Sequence, residues 1–251
     1  MSALFSLAGQ TALVTGASRG LGQAIAAALA EAGADIAGVG VSDQSQTKER
    51  VEAMGRRYLA LAADLQTIAP IQGVVARTLD AFGRLDILVN NAGVIRRADA
   101  ADFAEADWDA VIDTNLKSAF FLAQAAGRHM LGEGRGKIIN IASMLSFQGG
   151  VRTASYTASK SGLAGITRLL ANEWAGRGVN VNAIAPGYMA TDNTAPLRAD
   201  DKRNAAILER IPAGRWGVGE DLAGAAVFLA SRASDYVHGA IIPVDGGWLA
   251  R

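Results

Sequence analysis

The chain has 251 residues, of which half are hydrophobic, and its 24 Lys and Arg balance its 24 Asp and Glu. Because these charges are dispersed, the sequence has neither the basic footprint of a nucleic-acid-binding protein nor a polybasic patch for a membrane surface. The absence of cysteine excludes disulfides and thiolate metal sites, and the two histidines, His129 and His238, form no HExxH-type pattern, so we expect no metal site.

The N-terminal segment, MSALFSLAGQ, carries no basic residue, since the first one in the chain is Arg19. It therefore lacks the positive region of a signal peptide. No apolar run reaches the roughly 18 residues that are needed to span a bilayer. We expect a soluble, cytoplasmic protein.

Seven short apolar runs along the chain predict β-strands. None of them alternates cleanly between polar and apolar residues, which is typical of strands that helices cover on both faces. The predicted strands are 11–15, 35–41, 58–64, 86–91, 137–143, 180–186 and 240–246.

Segments of helical length separate these strands. The alternation of strand and helix predicts a single α/β domain, residues 1–251, built as a Rossmann-type, doubly wound parallel sheet of seven strands with helices on both faces. The polar stretch 188–217, which contains Pro196 and Pro212, interrupts this alternation between the sixth and seventh strands. We interpret it as a lid over an active site.

The first predicted strand runs into a glycine-rich stretch, TGASRGLG at 15–22. Gly16, Gly20 and Gly22 fall where a strand turns tightly into a helix, so the backbone can approach a phosphate whose charge the helix N-terminus favours. The spacing differs from GxGxxG, and no Lys-Ser/Thr follows as in a nucleotide-hydrolysing P-loop. We predict a dinucleotide site, the alternative being a turn that serves chain geometry alone.

The same stretch contains a competing pattern. Its residues 16–20, GASRG, match the G-x-S-x-G nucleophile elbow of α/β-hydrolases, with Ser18 as nucleophile and with an acid and His238 following in the required order. The elbow would, however, follow the first strand, and no HGGG-type oxyanion motif occurs. A hydrolase is therefore the weaker interpretation.

A candidate acid–base pair lies in the stretch YTASK, where Tyr156 and Lys160 are four residues apart and so share one helix face. An ammonium ~5 Å from the phenol would favour phenolate by about 3 kcal/mol at an effective dielectric constant of ~20. We therefore expect Lys160 to bring the pKa of Tyr156 towards ~8. Ser143, at the end of the fifth strand, stands at the sheet edge where ligands bind.

Further stretches follow in the order of a known family, namely ADL at 63–65, NNAG at 90–93, TNL at 114–116 and PGYMAT at 186–191. With the glycine-rich turn, Ser143 and YTASK, they make the chain resemble the short-chain dehydrogenases/reductases over essentially its whole length. The resemblance implies an NAD(P)-dependent oxidoreductase that interconverts a secondary alcohol and a ketone. It also implies a homotetramer, at whose interface the apolar C-terminal stretch GGWLAR could pack.

The resemblance implies roles for individual residues. Tyr156 would be the acid–base, Ser143 would polarise the substrate carbonyl, Lys160 would bind the nicotinamide ribose, and Asn115 would hold a water in a proton relay. The presence of all four argues against a non-catalytic dinucleotide sensor. Cofactor contacts would come from Gly16, Ser18, Arg19, Gly20, Leu21, Gly22, Ser42, Asp64, Leu65, Asn91, Ala92, Gly93, Tyr156, Lys160, Pro186, Gly187, Met189 and Thr191.

The choice between NAD and NADP normally depends on the end of the second strand, where an acid binds the ribose 2′-hydroxyl and repels a 2′-phosphate. Gly40 or Val41 stands at that position, Asp43 follows closely, and Ser42 could serve either cofactor. Arg19 resembles the phosphate-reading arginine of NADP-dependent relatives. The sequence favours NADP and leaves NAD open.

Several stretches outside the general family markers resemble bacterial sugar-acid dehydrogenases, including NNAGVIRR (90–97), IASMLSFQGG (141–150), RIPAGRWG (210–217) and VDGGWLAR (244–251). Enzymes for deoxy sugar acids fit better than those for gluconate, and a gluconate 5-dehydrogenase or another short-chain carbonyl reductase remains the alternative. A sugar acid needs a cation for its carboxylate and polar groups for its hydroxyls. The candidates are Arg96, Arg97, Arg152 and Gln148, with Met144 and Tyr188 shaping the pocket.

Overall fold

A computed structural model of the protein describes residues 3–251. Its strands form one seven-stranded sheet in which all neighbours run parallel. The strands are β1 (Thr11–Thr15), β2 (Asp35–Gly40), β3 (Tyr58–Ala62), β4 (Ile87–Asn90), β5 (Gly136–Ile141), β6 (Val179–Pro186) and β7 (Ile241–Val244).

The strand order across the sheet is β3-β2-β1-β4-β5-β6-β7. From β1 the chain adds strands towards one edge of the sheet as far as β3, and from β4 it adds them towards the other edge. The connections that leave β1 and β4 therefore diverge and open a crevice at the carboxyl ends of these two strands. In open α/β sheets such a crevice is where a ligand binds. The predicted doubly wound, seven-stranded parallel sheet is confirmed.

The helices that cover this sheet follow the strands in alternation. Over residues 3–251, none of them combines the length and the apolar character needed to cross a bilayer. The helices are α1 (Gly20–Glu31), α2 (Ser45–Ala53), α3 (Ile71–Phe82), α4 (Glu105–Ile112), α5 (Ser118–Glu133), α6 (Ala154–Trp174), α7 (Ala195–Ala199), α8 (Asp201–Arg210) and α9 (Ala223–Ala230).

Two hydrophobic cores lie on opposite faces of the sheet. One packs residues of α1 and α9, such as Leu29 and Leu229, against Val14 of β1. The other packs residues of α3 and α5, such as Leu122, against Leu13. Because consecutive strand residues point to opposite faces, a strand buried on both sides reads as a continuous apolar run, which is why β1 shows no alternation.

The edge strands depart from the expectation that every strand is covered on both faces. β3 and β7 retain partly exposed residues throughout most of their length, since each has only one neighbouring strand. β7 is also shorter than predicted. It ends at Val244, before Gly246 and Gly247, whose positive φ angles turn the chain out of the extended conformation.

The segment 188–217 contains α7 and α8 and projects as one excursion from the sheet. Its two ends are joined, because the Ala190 N–H donates to the Gly217 carbonyl at 2.7 Å and the Gly217 N–H donates to the Tyr188 carbonyl at 2.9 Å. Its interior face packs through Ile207 and Ile211 against Met144, which follows β5, and against Trp248 near the C-terminus. We keep the name lid for residues 188–217, and its function as a lid stays a prediction.

Candidate active site

The glycine-rich turn connects β1 to α1 with two residues in the left-handed region, Gly16 (φ 66°) and Gly20 (φ 56°). A Cβ on Gly22 would lie 2.5 Å from the Asn91 side-chain nitrogen, so the helix and the strands pack too closely for any larger residue. The turn therefore leaves the backbone and the N-terminus of a 12-residue helix open to an approaching ligand. This cradle fits the diphosphate of a dinucleotide.

Asn91 fixes the neighbouring edge of the crevice. Its side-chain nitrogen donates to the Thr15 carbonyl at 2.9 Å, while the backbone N–H groups of Asn91 and Ala92 both donate to the Thr15 hydroxyl at 2.9 Å. These bonds hold the end of β4 against the end of β1. The predicted contacts of Asn91, Ala92 and Gly93 with the cofactor stay predictions, but the strand ends that would make them are held together.

The end of β2 carries no acid, and a side chain at Gly40 would first have to displace the Ser18 hydroxyl. A Cβ on Gly40 would lie 2.5 Å from the Ser18 hydroxyl, which itself donates to the Ser42 carbonyl at 3.3 Å. Asp43 is engaged locally, since its carboxylate accepts hydrogen bonds from the Ser45 hydroxyl at 2.7 Å and the Ser45 N–H at 3.3 Å. These two hydrogen bonds from Ser45 hold the pKa of Asp43 below its ordinary value.

Asp64 and Leu65 follow β3 and so stand beside the end of β2 across the sheet edge. Asp64 is exposed and accepts the Gln66 N–H at 2.9 Å, whereas Leu65 is buried. Val41, by contrast, exposes 74% of its surface at the same edge. An apolar surface next to a polar rim suits an adenine ring.

The β6 end supplies the remaining predicted cofactor contacts. Beyond Pro186, the Gly187 N–H donates to the Val244 carbonyl at 3.0 Å, and a Cβ on Gly187 would lie 2.6 Å from the Asp245 Cα. Met189 is buried and Thr191 is partly buried at the start of the lid. These residues connect the sheet edge directly to the lid.

Ser143, Tyr156 and Lys160 meet at the carboxyl end of β5. Ser143 stands two residues beyond β5, and its hydroxyl oxygen accepts the Leu145 N–H at 3.1 Å. Tyr156 and Lys160 lie one turn apart on α6, and the Lys160 ammonium is 5.6 Å from the centroid of the tyrosine ring. Lys160 is 4% exposed and donates to the Ile141 carbonyl at 2.6 Å.

The predicted lowering of the Tyr156 pKa by Lys160 is wrong. Tyr156 retains some exposed surface, yet burial is the dominant influence and raises its pKa, while the Ser143 hydroxyl and the charge of Arg97 act in the opposite direction. Burial also lowers the pKa of Lys160, to about 8. The Coulomb argument from spacing omitted this desolvation, which acts on both residues.

Asn115 occupies a π-helical segment, Asp113–Lys117, that interrupts the helix between α4 and α5. Such segments frequently mark functional sites. Its side-chain nitrogen donates to the Val94 carbonyl at 2.9 Å and to the Ser159 hydroxyl at 3.3 Å, and its side-chain oxygen accepts the Val94 N–H at 2.8 Å. Asn115 therefore ties the loop after β4 to the helix that carries Tyr156, and its water-holding role stays a prediction.

The arginines near the site differ in their partners. Arg96 pairs with Asp107 at 3.2 Å, and Arg152, which has a positive φ of 61°, pairs with Asp99 at 3.1 Å. Arg97 forms no ion pair with any residue of 3–251 and donates to the Asn193 carbonyl of the lid at 3.4 Å. Its charge nevertheless acts on Tyr156, so it is the arginine best placed to meet an anionic substrate.

The C-terminal residues form one wall of this site. Trp248 is 5% exposed, its ring centroid lies 4.7 Å from that of Tyr188, and its indole N–H donates to the Gln148 side-chain oxygen at 3.3 Å. Met144 belongs to the same apolar cluster. The lid thus buries the Trp248 ring within one chain, and the packing of the stretch GGWLAR at a subunit interface stays a prediction.

The topology of the sheet contradicts the hydrolase interpretation of Ser18. Ser18 follows β1 and therefore stands at the carboxyl edge of the sheet, whereas His238 precedes β7 and stands at the opposite edge, where it contacts Asn180 at 3.3 Å. A nucleophile and its base must be within hydrogen-bonding reach. The order of residues in the sequence matched a triad that the fold keeps apart.

We expect the wild-type chain to gain stability, relative to a Lys160→Met variant, as the pH rises from about 8 to about 10.5. The folded-state pKa of Lys160 is about 8 and the ordinary value is 10.5, so in this window the unfolded chain binds more protons. Stability then rises with pH by roughly 1 kcal/mol per unit, and the cost of the buried charge is fully present below the window. Urea unfolding of both proteins across this range measures the difference. A difference that stays constant with pH would contradict the burial argument.

A family model described as enoyl-(acyl carrier protein) reductase matches residues 16–249 of the chain. With the relatives given below, this match shows that the chain belongs to the short-chain dehydrogenase/reductase family, and it is an oxidoreductase.

Within this family, the chain is 61% identical to the 2-dehydro-3-deoxy-D-gluconate 5-dehydrogenase of Escherichia coli (strain K12), over 98% of both chains. It is 44% identical to the gluconate 5-dehydrogenase of Gluconobacter oxydans (strain 621H), over 97% of this chain and 96% of that one. A crystal structure from Agrobacterium tumefaciens, of a provisionally assigned 2-deoxy-D-gluconate 3-dehydrogenase with bound NADP, is 58% identical, with a TM-score of 0.93 over the whole of both chains.

Proposed function

We propose that this protein is a sugar-acid dehydrogenase that interconverts a secondary alcohol and a ketone on 2-dehydro-3-deoxy-D-gluconate or 2-deoxy-D-gluconate. The observation that carries the proposal is the meeting of Ser143, Tyr156 and Lys160 at the sheet edge, with the charge of Arg97, which pairs with no acid among residues 3–251, acting on the tyrosine. A carboxylate-bearing substrate would be bound by that charge and reach the acid–base with its oxygen. The names of the 61% and 58% identical relatives support the same substrates.

In this reaction Tyr156, Ser143 and Lys160 would each have a separate role. A bound nicotinamide dinucleotide would supply or accept the hydride. Tyr156 donates its phenolic proton to the ketone oxygen, or takes a proton from the hydroxyl in the oxidative direction. The Ser143 oxygen accepts a hydrogen bond from Leu145, and its O–H, which acts on Tyr156, would donate to the same substrate oxygen. Lys160 remains mostly protonated at neutral pH and holds positive charge beneath the tyrosine.

For the cofactor we propose a preference for NADP. Gly40 leaves the end of β2 without an acid, and Asp43 is occupied by Ser45. Arg19 is the exposed cation at the start of α1, where a 2′-phosphate would need one. The NADP bound to the Agrobacterium tumefaciens structure supports the same choice.

We infer a cytoplasmic homotetramer for the assembly, as the family resemblance implies. The partly exposed apolar residues Ile241, Ile242 and Val244 of the edge strand β7, together with Leu169 at 48% exposure on α6, are surfaces that a second copy would cover. Light scattering after gel filtration should give four times the 25.9 kDa chain mass. A monomeric mass would contradict the inference.

Reduced-nicotinamide absorbance with a panel of sugar acids tests the substrate. We expect kcat/KM for the deoxy acids to exceed that for D-gluconate by at least about tenfold, because a pocket shaped for a missing hydroxyl penalises its presence. The reverse order would favour the gluconate 5-dehydrogenase alternative, to which the 44% identical relative points. No turnover with any sugar acid, with either cofactor, would remove the sugar-acid assignment and leave the dehydrogenase family standing.

A further inference from the structure

The lid presents one turn, residues 191–194, to arginines on both sides of the active-site crevice. On the cofactor side, the Arg19 guanidinium lies 3.3 Å from the Asp192 carboxylate. On the substrate side, Arg97 donates to the Asn193 carbonyl at 3.4 Å. The turn also approaches the glycine-rich loop, since a Cβ on Gly20 would lie 3.9 Å from the Thr191 methyl group. A single turn of the lid therefore contacts both cations that the proposed function uses.

This turn is held by its own hydrogen bonds. The Thr194 hydroxyl donates to the Met189 carbonyl at 2.6 Å and accepts the Thr191 N–H at 3.1 Å. Arg198 donates to the Thr191 carbonyl at 3.2 Å from the next turn of the lid. Asp192 is thus presented to Arg19 by a braced backbone. Its carboxylate stays close to the cation even though both side chains are about three-quarters exposed.

We propose that Asp192 is a cofactor-selecting residue that opposes NADP. The proposal rests on the proposed function, in which Arg19 binds the 2′-phosphate. That phosphate carries close to two negative charges, and Asp192, whose carboxylate lies 3.3 Å from the same guanidinium, would compete for this cation and repel the phosphate. NAD has a hydroxyl at this position and meets no such repulsion. Asp192 therefore reduces the preference for NADP over NAD that Gly40 and Arg19 would otherwise give.

Binding of the reduced cofactors to the full chain, followed by nicotinamide fluorescence without substrate, tests the proposal. An Asp192→Asn variant should bind NADPH about threefold to tenfold more tightly than wild type at low salt, with the Kd for NADH unchanged. The gain should shrink at high ionic strength. Asp201→Asn is the matched control: Asp201 is an exposed acid of the same lid that does not pair with Arg19, so neither affinity should change.

An Arg19→Met variant distinguishes the possible failures. Weaker NADPH binding by Arg19→Met, together with unchanged binding by Asp192→Asn, would overturn the selecting role of Asp192 and leave Arg19 as the phosphate contact. If neither variant changes NADPH binding, the NADP preference in the proposed function falls as well. A tenfold gain in NADPH affinity that Asp201→Asn reproduces would also overturn the proposal, because the loss of any negative charge from the lid would then explain the gain. Sugar-acid turnover with NADH is measured separately, so the dehydrogenase assignment does not depend on these outcomes.

Discussion

Replacing Tyr156 with phenylalanine is expected to lower kcat by about 10²-fold to 10⁴-fold in both directions, the usual contribution of a positioned acid–base. The ring would remain packed on α6, so the fold and the position of Lys160 should be retained. The lost group is the phenolic proton that passes to or from the substrate oxygen. Steady-state kinetics with a sugar acid and either cofactor measure the change.

The control for this variant is Tyr236→Phe, which removes the same hydroxyl from a residue that is 99% exposed. It should leave kcat unchanged. NADPH affinity, measured by fluorescence, should be similar in wild type and in Tyr156→Phe to within severalfold. A Tyr156→Phe enzyme that keeps a tenth or more of the wild-type kcat, roughly 1.4 kcal/mol of barrier or less, would contradict an acid–base role.

The pH dependence gives the same experiment a second readout. Burial raises the pKa of Tyr156, so the phenol keeps its proton at neutral pH. Reduction needs the protonated form, and its rate should fall as the pH rises through that pKa. Oxidation needs the deprotonated form, and its rate should rise over the same range. An oxidative rate that declines as the pH rises above neutrality would contradict this assignment.

The sheet could be predicted because its central strands have a distinctive local sequence pattern. TALVT and KIINI are continuous apolar runs between helical segments, and burial on both faces requires that pattern. The edge strand β7 was less predictable. Its length depends on where Gly246 turns the chain and on the missing neighbour at the sheet edge, and neither is visible in the spacing of apolar residues.

The candidate site could be predicted as a set of residues but not as an electrostatic system. Spacing along one helix places Lys160 beside Tyr156, and the structure keeps them close. The direction of the tyrosine pKa depends on burial in the closed fold, opposed by Ser143 and Arg97, and the spacing contains none of these. The influence of Arg97 comes from 59 positions earlier in the chain.

Partners from distant elements also decide which arginines are available. The doublet at 96–97 reads as two equivalent cations, yet Asp107 of α4 holds Arg96 while Arg97 faces the lid. Trp248 provides a similar case, because its contact with Gln148 spans 100 positions. Such pairings follow from the closed fold, in which the lid and the C-terminal residues return to the carboxyl edge of the sheet.

The second large effect is expected at Arg97, where substitution by methionine should raise the KM for a sugar acid by about 10-fold to 100-fold. A hydrogen bond to a charged group contributes roughly 1.5–3 kcal/mol, and the methionine keeps the aliphatic length of the side chain without the charge. Arg96→Met is the matched control. It removes a guanidinium one residue away that Asp107 already neutralises, so its effect on KM should be severalfold at most.

Two further measurements make the Arg97 result specific. A neutral analogue without the carboxylate should be turned over by the Arg97→Met variant with little change in KM, since the lost contact is to the acid group. The positive charge of Arg97 also lowers the pKa of Tyr156, so its removal should move the rise of the oxidative rate to higher pH. An unchanged KM for the sugar acid, or an equal effect of Arg96→Met, would show that the carboxylate is bound elsewhere. In that case the paired arginines, Arg96 and Arg152, would have to release their acids to bind substrate.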